Sequence, residues 1–126
     1  MHRQLLHLVE AASSQPRLCL RVLDIDARIE GGFPAKSPFT IYTFLDSSDS
    51  PMAVADTFNT DIVQTDTEDV RRYVELHERL WDASLSGVKS LTLLETTADR
   101  LAEWQDHSYD PPVHELAQVQ SQHTQR

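Results

Sequence analysis

The chain has 126 residues, 40% hydrophobic and 25% charged, the make-up of one globular domain with room for an ordinary core. Its 11 Lys and Arg stand against 20 Asp and Glu, a net charge of −9 with histidines neutral. No basic cluster exceeds Arg71-Arg72, so the chain lacks the patch that holds nucleic acid by displacing counterions, and no nucleic-acid partner is expected.

Residues 2–15 read as a helix, with Leu5, Leu8, Val9 and Ala12 at helical spacing and Ser13-Ser14 before Pro16 closing it. Residues 17–25 read as a strand, in which Leu18, Leu20 and Val22 alternate with Cys19, Arg21 and Leu23. Gly31-Gly32 and Pro34 mark a loop. A second strand is expected over 38–45, rich in aromatic and β-branched residues, then a turn from Asp46 to Pro51 and a third strand over 52–58. Asn59, Thr60 and Asp61 turn the chain into a fourth strand near 62–65.

The remainder reads as helical. Thr67 or Asp66 caps a helix whose first turn carries Glu68 and Asp69, favourable at the positive end of the helix dipole. Val70, Tyr73, Leu76, His77, Leu80 and Trp81 recur at three- and four-residue steps and share one face. Ser86-Gly87 separates this helix from another at about 88–105, with Leu91, Leu94, Ala98 and Leu101 on its buried side. The expected architecture is a single α+β domain over 1–105. In it a four-stranded antiparallel sheet packs against an N-terminal helix and two C-terminal helices, with a polar tail over 106–126 that is either frayed or a lid.

No apolar run approaches the roughly 20 residues of a membrane-spanning helix. Met1 leads into an amphipathic segment rather than a signal peptide's apolar region, so a cytoplasmic location is expected, with no membrane partner. The lone Cys19 excludes an internal disulfide and a cysteine zinc site, and its apolar neighbours predict a buried, inert thiol.

Phosphate-binding loops, dinucleotide fingerprints and nucleophile elbows are missing from the sequence, and no two histidines take metal-binding helical spacing. No metal or cofactor is expected. Asp24 and Asp26 supply too few oxygens for a hard cation and read as an exposed strand end. Three residues invite more thought. His77 sits on the apolar face of its helix, Trp81 carries an indole N–H that needs a partner if buried, and Asp56 lies in a strand with Met52 and Val54. A core histidine and a solvent-facing aspartate are the plain readings. Alternatively, Tyr42, Met52, Val54, Tyr73 and Trp81 shape an apolar pocket in which His77 and Asp56 supply the polar contacts.

The residues also carry a family resemblance over about 2–103. Gln4-Leu5 with Leu8, Leu20-Arg21-Val22, Phe39-Thr40, Asp69-Val70 with Tyr73, and Ser86 with Ser90-Leu91 resemble an actinobacterial domain of unknown function. In that family the domain follows the helix-turn-helix of XRE-type regulators. Met1 stands directly before it here, so a stand-alone version is expected. The chain departs from the family at Asp24, where a proline is usual, and at Val54-Ala55-Asp56, where Tyr-x-Glu is common. It departs again at His77, often an apolar aromatic, and at Trp81, often polar. A domain without its DNA reader resembles the free-standing relatives that act as cyclases for (6+4)/(4+2) cycloadditions of polyene macrolactones. These belong to streptoseomycin- and nargenicin-type macrolide pathways.

That resemblance implies a cofactor-independent pericyclase with a small-molecule polyene substrate. Such a protein would lower the barrier by holding the reacting termini together in an apolar pocket, with His77 and Asp56 as catalytic contacts. A homodimer is compatible with the strand edges. The alternative is a non-catalytic domain, left from a regulator, that senses a small molecule or docks another protein, its acidic surface suiting a basic partner. A general acid–base enzyme using His77 with Asp56 is a third reading.

Overall fold

The computed structural model describes residues 1–31 and 35–107. In chain order the elements are α1 (His2–Ser14), β1 (Phe39–Tyr42), β2 (Met52–Asp56), β3 (Asp61–Gln64), α2 (Thr67–Ala83) and α3 (Gly87–Asp106). The fold is α+β, but its antiparallel sheet has three strands in the order β1-β2-β3 rather than four. The segment over 17–25 is the one that fails to join. The backbone of Val22 bonds elsewhere: Leu85 N–H donates to the Val22 carbonyl at 2.9 Å, and Val22 N–H donates to Ser90 Oγ at 2.9 Å. With its N–H and carbonyl both used by the junction of two helices, Val22 at the middle of the segment has neither left for a sheet ladder. Cys19 in this segment is exposed, not buried as its neighbours suggested.

The described residues fall into two compact units. One contains Met1–Leu18 and the residues from Thr92 onward, and the other spans Cys19–Leu91. In the first unit Ala98 is fully buried, while Leu5, Val9, Ala12, Leu94 and Leu101 are half-buried, as their helical spacing predicts. Leu8 is exposed. The expected tail lies, past His107, outside the described residues, as do Gly32 and Pro34 of the expected loop.

The second unit is the sheet with α2 upon it. Register pairs Phe39 with Ala55, Ile41 with Ala53 and Tyr42 with Met52 between β1 and β2. Between β2 and β3 it pairs Ala53 with Gln64, Val54 with Val63 and Asp56 with Asp61. Side chains alternate across a strand and opposed residues share a face. One face therefore carries Phe39, Ile41, Ala53, Ala55, Ile62 and Gln64, and the other Thr40, Tyr42, Met52, Val54, Asp56, Asp61 and Val63. Helix α2 packs on the first: it contacts β1 and β2, the Phe39 and Tyr73 rings lie 5.3 Å apart, and Ala53 and Ala55 are buried beneath it with Val70. The two alanines leave room for a helix to approach the backbone closely.

Turns and caps fix the ends. In the 46–49 turn, Asp46 Oδ1 accepts from Ser48 N–H at 2.9 Å and Ser48 hydroxyl at 2.8 Å, which holds the Asp46 carboxyl below the usual carboxylate range. The β2–β3 hairpin is closed by Thr57, whose N–H and hydroxyl both donate to the Thr60 carbonyl. Gly31 adopts φ of 86°, a left-handed conformation that strains any residue with a Cβ, which favours glycine there.

Candidate functional site

Helix α2 organises the chemistry of its unit. Asp66 caps it, its Oδ1 accepting from Glu68 N–H at 3.0 Å and Asp69 N–H at 3.3 Å. Arg71 lies between two carboxylates, 2.6 Å from Glu68 and 2.5 Å from Glu75. The pairing lowers the Glu68 carboxyl and raises the already high Arg71 guanidinium.

On the neighbouring stripe of α2, Asp69, Arg72, Tyr73 and Leu76 line a groove with Lys36, Phe39 and Gln64. Its volume is about 420 Å³, and it opens along one side of the helix. The helical spacing of Tyr73 and Leu76 made half of this wall visible in the sequence. Lys36, Gln64 and Arg72 were not singled out, because only the strand register and the path of the loop bring them together.

The residues proposed for a catalytic pocket do not converge. Tyr42, Met52, Val54 and Asp56 lie on the sheet face away from α2. Tyr73 meets Phe39 on the α2 side. His77 is exposed and stacks on Trp81 with ring centroids 5.8 Å apart. Trp81 in turn carries Arg21 over its ring at 4.3 Å, and Arg21 Nη1 donates to the Trp81 carbonyl at 3.3 Å. These three residues bind the 20–23 segment to α2. Asp56 and His77 lie on opposite sides of the sheet, which leaves no acid–base pair.

These placements correct the reading as a cycloaddition cyclase. The sheet is open, its proposed pocket residues are divided between two faces, and ring contacts among the described residues form two separate pairs rather than a cluster. No three of the described His, Cys, Asp and Glu side chains are grouped to hold a metal ion. Nothing among the described residues assembles a catalytic chamber for a polyene. No helix among the described residues is long and apolar enough to cross a membrane.

What remains is an α+β domain with an open sheet, one helix-covered face and a shallow groove, a framework suited to association. By its sequence the chain belongs to the family named Domain of unknown function (DUF5753), whose pattern matches residues 1–96. No curated protein and no solved structure matches it significantly. The family-like positions have structural work in this fold: Phe39 and Tyr73 join sheet to helix, Val70 is buried, and Ser90 is fully buried holding Val22.

Proposed function

We propose that this protein is a non-catalytic interaction domain of the kind carried by XRE-type regulators, and that it docks a basic helix-turn-helix chain on the open face of its sheet. The observation that carries the reading is that face. Tyr42, Met52, Val54 and Val63 form an apolar strip across all three strands, with Tyr42 45% and Val63 57% exposed. Apolar strips of this kind on a soluble domain mark association surfaces.

Charge selects the partner. Asp56 and Asp61 face each other at one end of the strip, a like-charged cross-strand pair that opposes sheet pairing. A Lys or Arg from a partner relieves that repulsion. A second copy of a chain with net charge −9 would add to it. DNA-reading domains are basic for their own electrostatic reasons, so a separate helix-turn-helix chain supplies the complement.

Sedimentation velocity on the purified protein mixed with a helix-turn-helix chain from the same genome tests this. A complex is expected that weakens as salt rises and that Val54→Asp abolishes while far-ultraviolet circular dichroism stays unchanged. Failure to form a complex, or a complex indifferent to Val54→Asp, overturns the reading.

A further inference from the structure

The groove beside α2 lies on the other side of the sheet and is independent of that docking face. We propose that it binds a small organic carboxylate with an aromatic or aliphatic body. Its floor is apolar: the Phe39 and Tyr73 rings, 5.3 Å apart and tilted by 53°, continue into Leu76. A volume of about 420 Å³ falls in the range that small-molecule sites occupy.

The rim is rich in uncommitted donors. Arg71 on the same helix is fully engaged, bonding Glu68 and Glu75. Arg72 is not. It forms loose ion pairs with Glu68 and Asp69, each at 3.9 Å and too long for a hydrogen bond, so its planar fork of N–H groups donates to neither of them. Lys36 has no ion pair among the described residues, and the Gln64 amide and Tyr73 hydroxyl donate to none of them. Lys36 and Arg72 line this groove with Asp69, and Glu68 lies beside Arg72, so the two cations balance the nearby carboxylates in a chain of net charge −9.

Arginine presents two parallel N–H donors to a carboxylate, and a lysine beside it adds a point charge. An anion held there would lay its apolar body over the Phe39–Tyr73–Leu76 floor, removing that surface from water. A neutral analogue would keep the floor contact and lose the charged one. The charge preference is thus the signature of the site, and general stickiness lacks it.

The test uses the full chain, labelled with nitrogen-15, and two probes of nearly equal shape: 1-naphthoate and neutral 1-naphthamide. Naphthoate is expected to give saturable amide shifts in residues 35–39 and 69–76, with naphthamide binding about tenfold more weakly or worse. In the Lys36→Gln/Arg72→Gln double variant that preference should vanish with the rest of the spectrum unmoved. Equal binding of the two probes, shifts centred elsewhere, or no saturable shift overturns the proposal. The Val54→Asp variant should bind naphthoate as the parent does, which separates this result from that of the docking face.

Discussion

Ser90 joins two backbone groups that lie outside the sheet ladder. Its hydroxyl oxygen accepts from Val22 N–H at 2.9 Å and its proton goes to the Leu85 carbonyl at 3.3 Å, in full burial. Ser90→Ala leaves that half-buried N–H without its partner, which costs about 1 kcal/mol. Calorimetry should show a melting temperature several degrees lower, since about 1 kcal/mol shifts a domain of this size by roughly 2–8 °C. Arg71 acts at the surface instead. It holds Glu68 deprotonated below the ordinary carboxylate range, as the Ser48 donors do for Asp46. A carboxyl depressed in the folded state stabilises the fold above its unfolded titration range. That contribution is lost as pH falls through the depressed folded value. Arg71→Gln should raise the Glu68 midpoint toward the ordinary carboxylate range, read by carbon-13 NMR of its carboxyl.

At the scale of elements, α2 was the most legible in the sequence, because a long 3.6-residue period and an aspartate cap name a helix without tertiary help. Asp66→Ala removes the acceptor for two first-turn N–H groups and should cost about 1 kcal/mol in denaturant unfolding at unchanged m-value. The 17–25 segment shows the opposite case. Its alternation reads as a strand that the structure does not form: the partners of Val22 are at positions 85 and 90, and nothing local distinguishes them from a neighbouring strand. The site was hidden for a related reason. Sequence places Tyr42, Met52, Val54 and Asp56 on one face of the sheet by parity. It does not say which face the helix that begins at Thr67 will cover. With α2 on the other face, Asp56 and His77 part company, and Lys36 and Gln64 become neighbours of Arg72.

Across the whole molecule, apolar mass is distributed toward the surface. The apolar residues buried among those described are Ala53, Ala55, Val70 and Ala98, none larger than valine, while Ile25, Phe44, Leu45, Phe58 and Trp104 are exposed with the strip on the sheet. Small buried side chains yield little hydrophobic stabilisation, since the gain scales with apolar area removed from water. Stability then leans on specific bonds across long separations, of which Val22 to Ser90, 68 residues apart, is the longest described here. This has a consequence for how the chain is made. During synthesis at roughly 5–20 residues per second, Val22 waits about 3–14 s for Ser90 to be added. Through that interval the Val22 N–H is without the partner it has in the folded chain. The anchors of the early segment are thus added in the order Trp81, Leu85, Ser90, with the serine as the last of them.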